Sequence, residues 1–166
     1  ALRERLGGAP QGRVTVAVNA SAAKLCRPLE QRRRPETLQD AKYSIPFMTA
    51  FTLVHGRVDL ATLGPPAVRD PAVLDLAARI AVVETLPDKP GHPPAEITAE
   101  TPEGPVTVRR DAAPVPDAEG VRAKFLDCLR HAGLGADAAA IWDRLHARLQ
   151  GGPAAAFLAA IPRVGG

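Results

Sequence analysis

The chain has 166 residues, with 21 Lys and Arg against 18 Asp and Glu, which gives a formal net charge of +3. That length allows one domain, or one domain with appendages, and an apolar content of 46% supports a folded core. The longest unbroken apolar run, residues 154–161, is far shorter than a membrane span, and no segment has the pattern of a secretory signal. These features predict a cytoplasmic protein that does not cross a membrane.

The cysteines and histidines predict no metal or cofactor. Cys26 and Cys128 are too few for a disulfide framework or a four-thiolate zinc site. The four histidines are scattered without metal-site spacing, and no dinucleotide-binding, phosphate-loop, zinc-protease or nucleophile-elbow motif occurs. Cys128 falls between Phe125 and Leu129 of a predicted helix, which favours a place in the core.

The first 38 residues predict a short helix, a strand and an irregular segment. Residues 1–6 have helical character, but no capping residue or initiator Met precedes them, so we expect a piece of a longer polypeptide. Alternating Val residues predict a strand over 13–18. Residues 19–38 are expected to be irregular. The four arginines within 27–34 have no stacking aromatics near them, which favours a solvated or carboxylate-paired loop over nucleic-acid binding.

The clearest helix is predicted over residues 44–55. Ser44 is a suitable N-cap, Pro46 is tolerated in the first turn, and Gly56 is a suitable stop. The apolar residues that fall on one face of this helix are Phe47, Phe51 and Val54. Of these, we expect Phe51 and Val54 in the core.

The remaining elements follow from similar signals. Asp70 before Pro71 predicts a helix that ends at Ala78. Strands are predicted over 79–85, 95–101 and 105–110, and helices over 117–131, 136–150 and from Pro153 onward. Together they predict one α+β domain over residues 1–166, a small antiparallel sheet covered by helices with C-terminal helices appended.

Residues 40–47, with the sequence D-A-K-Y-S-I-P-F, form a candidate carboxylate-binding corner. If Ser44 caps the helix, the free N–H groups of residues 45–48 point at one spot where the helix dipole favours an anion. Lys42 lies just before the cap, and Tyr43 and Ser44 add hydroxyl groups. The alternative interpretation is an ordinary capped helix with Lys42 in water.

Several motifs resemble those of MmgE/PrpD proteins. Residues 40–60 are similar to the family segment in which A-[KR]-x-S-[IL]-P-[YF] opens a long helix that ends in Gly. Residues 69–80 resemble its D-P-x-V-x-x-L-A-x-x-[IV] helix and strand, and residues 95–104 its P-A-x-[VI]-x-[VI]-x-x-x-D-G hairpin. Lys124 and Phe125 match its late K-F pair. Modest motifs in the right order are together much more specific than any one of them.

The resemblance implies an architecture and an activity. The family includes 2-methylcitrate dehydratase, cis-aconitate decarboxylase and iminodisuccinate epimerase. Its members have a large all-helical N-terminal domain and a smaller C-terminal α+β domain, with the active site between them. The chain resembles the smaller domain alone. The implied parent is a homodimeric lyase or isomerase that abstracts a proton α to a carboxylate of a di- or tricarboxylate.

The same resemblance places the A-K-Y-S-I-P-F segment at the active-site cleft. The candidate substrate-binding residues are therefore Lys42, Tyr43, Ser44 and Phe47. The family's acid–base residues lie largely in the helical domain, so no catalytic residue is assigned here and the isolated domain is expected to be inactive. The implied partners are a polycarboxylate substrate and the N-terminal helical domain. The alternative is a non-catalytic module for anion binding or oligomerisation.

Overall fold

The computed structural model describes residues 1–89, 93–112 and 115–149, and the chain divides into two compact units, Ala1–Pro114 and Val115–Gly166. The elements of the first unit are α1 (Leu2–Leu6), β1 (Val14–Val18), α2 (Ala20–Leu25), α3 (Leu29–Arg33), α4 (Leu38–Lys42), α5 (Ile45–His55), a 3₁₀ helix (Pro65–Arg69), α6 (Pro71–Ala78), β2 (Ile80–Glu84), β3 (Ala95–Ala99) and β4 (Val106–Arg110). Those of the second are α7 (Ala118–His131), a 3₁₀ helix (Gly135–Asp137) and α8 (Ala138–Leu149).

The four strands of the first unit form one sheet in the order β2-β1-β3-β4. The β1–β3 and β3–β4 pairs are antiparallel, whereas β1 pairs with β2 in parallel, with Val14 beside Ile80. Parallel pairing requires a long crossover, which the helical segment between β1 and β2 supplies. The predicted α+β class is confirmed, and the sheet is mixed rather than wholly antiparallel.

The core lies between one face of the sheet and the helices α5 and α6. Its largest fully buried side chains are Phe47, Phe51, Leu76, Ile80, Val14 and Val73. Phe51 is 1% exposed, as predicted, and Val54 is half-buried at the margin of the same cluster. The core is built mainly from Val, Ala and Leu because the chain has few aromatic residues.

The prediction that residues 19–38 are irregular is wrong, because α2 and α3 lie within them. Asn19 caps α2 with a side chain that accepts a hydrogen bond from the Ala22 N–H at 3.1 Å. Helices of five or six residues are too short to be stable alone, so tertiary contacts stabilise them. In α3, Arg33 makes one such contact, with the carbonyl oxygen of Ile80.

Both edge strands have a carbonyl group bound by an arginine. At the β2 edge, Nε and Nη2 of Arg33 donate to the Ile80 carbonyl oxygen at 3.1 and 2.7 Å. At the β4 edge, Nη1 of Arg5 donates to the Thr107 carbonyl oxygen at 2.7 Å. Helices α3 and α1 are thereby attached to the two borders of the sheet.

The described part of the second unit, residues 115–149, contains α7, the 3₁₀ helix and α8. Asp117 caps α7, as predicted, by accepting a hydrogen bond from the Gly120 N–H at 2.7 Å. The Phe125 and Trp142 rings are 5.3 Å apart and join the two helices. Cys128 is exposed, so its predicted place in the core is wrong, and the buried position of α7 is Leu126. The helix predicted from residue 153 lies outside the described residues.

Candidate functional site

The candidate site is the corner where α4 ends and α5 begins. Thr37 caps α4 by accepting a hydrogen bond from the Asp40 N–H at 3.1 Å, and the helix ends at Lys42. Tyr43 is the C-cap of α4 and Ser44 is the N-cap of α5, so only two residues separate the helices. This short connection fixes Lys42 and Tyr43 at a turn of the chain.

The four candidate residues divide into an exposed pair and a buried pair. Lys42 is exposed and Tyr43 is 61% exposed, so both side chains are accessible to a ligand. Ser44 is 1% exposed and Phe47 is 0% exposed, and Phe47 belongs to the hydrophobic core. In this unit the buried pair holds the corner in place, and the exposed pair carries its accessible functional groups.

The N–H groups at the start of α5 have partners inside the protein. The Phe47 N–H donates to the Ser44 hydroxyl oxygen at 3.1 Å, and the Met48 N–H donates to the Ser44 carbonyl oxygen at 2.9 Å. Pro46 has no N–H group, and the Ile45 N–H lies beside the buried thiol of Cys26. The corner therefore offers side chains to a ligand rather than a free helix N-terminus.

Ser44 also ties the corner to α3. Its hydroxyl donates a short hydrogen bond to the Arg32 carbonyl oxygen while accepting one from the Phe47 N–H. Both functions of the hydroxyl are thus used for structure. The sequence predicts the second bond, because it is an ordinary N-cap, but not the first, because Arg32 lies twelve residues away.

Cys26 packs under this corner and is 2% exposed. Burial raises the pKa of its thiol, while the Ile45 N–H and the charge of Arg32 act in the lowering direction. The raised pKa keeps the group a neutral thiol at pH 7, and only the thiolate is a nucleophile.

We expect Cys26 and Cys128 to differ sharply in reactivity. In the folded protein at pH 7.5, a thiol reagent such as Ellman's reagent is expected to modify exposed Cys128 rapidly and Cys26 only after denaturant is added. A Cys128→Ser variant, which leaves Cys26 as the only thiol, isolates the slow reaction. Rapid labelling of that variant without denaturant would contradict the burial of Cys26.

A cavity of about 890 Å³ opens beside α5. Its apolar wall includes Leu2, Ile45, Met48, Leu53, Ile97 and Val108. Ile45, the residue after Ser44, lines this cavity, but none of the four candidate residues does.

The described ranges of the chain contain no metal-binding cluster and no membrane-spanning helix. Within residues 1–89, 93–112 and 115–149, no group of three or more His, Cys, Asp or Glu residues is placed to hold a metal ion. Every helix in the same ranges is too short or too polar to cross a lipid bilayer. The exposed side chains of Lys42 and Tyr43 are therefore the groups by which the α4–α5 corner could bind a ligand.

The family relationship is established by sequence comparison. The family model of the MmgE/PrpD C-terminal domain matches residues 1–143, a range that includes the whole sheet and the α4–α5 corner. The fold and this match together define the class of the domain as an MmgE/PrpD C-terminal domain. The chain therefore belongs to the MmgE/PrpD family. The predicted resemblance is confirmed. No individually curated protein matches the chain.

Proposed function

We propose that the chain is the small domain of a lyase or isomerase that acts on a di- or tricarboxylate. In this proposal, the α4–α5 corner forms one side of the active-site cleft. The observation that carries it is the exposed pair Lys42 and Tyr43, held on a turn by buried Ser44 and Phe47, in a domain of the MmgE/PrpD family. The parent is a cytoplasmic homodimer with an all-helical N-terminal domain.

The proposed chemistry divides between two domains. Abstraction of a proton α to a carboxylate needs a positioned base and groups that stabilise the charge developing on the carboxylate. Lys42 supplies a cation that binds a substrate carboxylate by charge-assisted hydrogen bonds, and Tyr43 supplies a hydroxyl donor. The helical domain supplies the base. Departure of a β-hydroxyl as water, or reprotonation on the other face, then completes a dehydration or an epimerisation. In a decarboxylation, the electron pair of the broken C–C bond is instead protonated by the acid–base group of the helical domain.

The 166-residue chain alone is expected to show no turnover, because it lacks the base. The measurement is the formation of unsaturated product from 2-methylcitrate or citrate, and the loss of CO₂ from cis-aconitate. The matched sample is the longer protein in which the helical domain precedes residue 1, which is expected to turn over one of these acids. Turnover by the isolated chain would contradict the division of roles.

In the longer protein, Lys42→Ala is expected to reduce kcat/KM roughly 30-fold, because a charge-assisted hydrogen bond contributes about 2 kcal/mol. The melting temperature is expected to change little, because Lys42 is exposed. Lys24→Ala removes another exposed lysine, from α2, and is the matched control, for which unchanged kinetics are expected. Ser44→Ala is expected to lower stability by about 1 kcal/mol instead, since it removes an N-cap.

The comparison of these variants decides the proposal. If Lys42→Ala and Lys24→Ala have the same kcat/KM, the corner does not bind substrate. If the longer protein neither turns over these acids nor epimerises a dicarboxylate, but still binds them, the chain is a non-catalytic anion-binding module. If the reading frame upstream of residue 1 encodes no helical domain, the parent enzyme of the proposal does not exist.

A further inference from the structure

Three arginines meet where β1 and β2 begin, away from the α4–α5 corner. Arg13 directly precedes Val14 and Arg79 directly precedes Ile80, and Val14 and Ile80 are partners in the parallel ladder. Arg33 reaches the same place from α3, since its guanidinium binds the Ile80 carbonyl oxygen. Three positive charges are thus drawn together by the sheet register and one helix.

Two of these guanidinium groups are fixed in position by backbone carbonyls. Nη1 of Arg79 donates to the carbonyl oxygens of residues 10, 11 and 12, and its Nε donates to the Asp75 carbonyl oxygen at 3.3 Å. Carbonyl partners satisfy N–H donors but leave the positive charge uncompensated. Of the three arginines, Arg33 alone is paired with a carboxylate among the described residues, at 2.6 Å from the exposed side chain of Glu30.

The arginines line a cleft of about 440 Å³. The rest of its lining in the described structure is Gln11 and small residues, Gly12, Ala78 and Ala81, with no carboxylate among them. Small residues leave the cleft open in front of the guanidinium groups. Like charges that line one cleft repel one another, and an anion between them offsets that repulsion.

We infer that this cleft binds a compact oxyanion that carries two or more negative charges, such as phosphate or a polycarboxylate. The guanidinium of Arg13 is not held by the carbonyls that bind Arg33 and Arg79, so its planar pair of N–H donors can match the oxygens of such an anion. Arg33 and Arg79, whose donors bind backbone carbonyls, contribute mainly positive charge. None of the α4–α5 corner residues lines the cleft. The inference therefore does not rest on the proposed function.

The test is titration of the 166-residue chain by calorimetry and thermal melting, with inorganic phosphate and with citrate as separate probes and NaCl at matched ionic strength as the blank. We expect saturable one-to-one binding of at least one probe and a melting temperature that rises with its concentration. The tighter probe identifies whether the site takes a phosphate or a polycarboxylate.

Arg13→Gln is the informative variant, because Arg13 is exposed and lies outside the carbonyl contacts that hold Arg33 and Arg79. We expect it to weaken binding about tenfold or more. Arg69→Gln removes the same charge from the exposed last residue of the 3₁₀ helix Pro65–Arg69 and is expected to leave the affinity within about twofold. Arg13→Lys keeps the charge but not the paired donors, and an intermediate affinity is expected.

Two results would overturn the inference. One is the absence of saturable binding for both phosphate and citrate. The other is an equal loss of affinity in Arg13→Gln and Arg69→Gln, which would mean that the anions respond only to net charge. If Arg13→Gln does not fold, the same comparison is made with Arg13→Lys. Because these measurements need no turnover, their failure is separate from a failure of the proposed enzyme function.

Discussion

Replacing Phe51 with Ala is expected to lower the free energy of unfolding of the first unit by about 3–5 kcal/mol. The side chain is 1% exposed, and its ring centroid lies 6.3 Å from that of Phe47 and 4.6 Å from that of His55. The substitution removes the transfer energy of the ring and leaves a cavity under the sheet. His55, which the Phe51 ring contacts, also pairs with Asp70, the N-cap of α6, at 2.9 Å. Removal of the Phe51 ring therefore also weakens the contact between α5 and α6.

Urea unfolding monitored by circular dichroism measures this loss. Phe51→Leu is the matched control, because it keeps most of the buried volume and is expected to cost under about 1.5 kcal/mol. A loss below about 1 kcal/mol for Phe51→Ala would mean that α5 presents another face to the sheet.

Replacing Gly12 with Ala is expected to lower the free energy of unfolding by about 3 kcal/mol, at the upper end of the cost of overpacking. A Cβ atom at residue 12 would overlap the carbonyl oxygen of Glu100 and lie 3.2 Å from its carbonyl carbon. Glu100 cannot easily retreat, because its N–H donates to the Arg13 carbonyl oxygen at 2.9 Å.

Gly8→Ala provides the comparison for this prediction, since a Cβ atom at residue 8 would meet nothing within 4 Å. We expect Gly8→Ala to leave stability unchanged or to raise it slightly by restricting the unfolded chain. Equal unfolding midpoints for the two variants in urea would show that the β1–β3 end of the sheet is looser than its hydrogen bonds indicate.

The helices that the sequence predicts well begin or end at residues whose local chemistry favours a helix end. Ser44 and Gly56 bound α5, and the pair Asp70 and Pro71 opens α6, so local chemistry alone defines both helices. The alternating valines of residues 13–18 likewise predict β1, in which Val14, Val16 and Val18 belong to the core.

The features that the sequence does not predict depend on residues far apart in the chain. The short helices α2 and α3 exist through contacts such as that of Arg33 with Ile80, 47 residues away. Parallel pairing of β1 and β2 depends on the crossover between them. At the candidate site, the Ile45 N–H is beside Cys26 rather than free, and nothing near Ser44 in the sequence indicates a thiol there.

The arginines on the borders of the sheet have a consequence for assembly. An incoming strand adds to a sheet by pairing with the outermost backbone groups, and exposed edges are where such growth and aggregation begin. On β2 that growth would first displace Arg33 from Ile80, and on β4 it would displace Arg5 from Thr107. Each displacement gives up hydrogen bonds from a cationic donor, worth about 1.5–3 kcal/mol per bond. The two arginine contacts therefore oppose the addition of a further strand at either edge of the sheet.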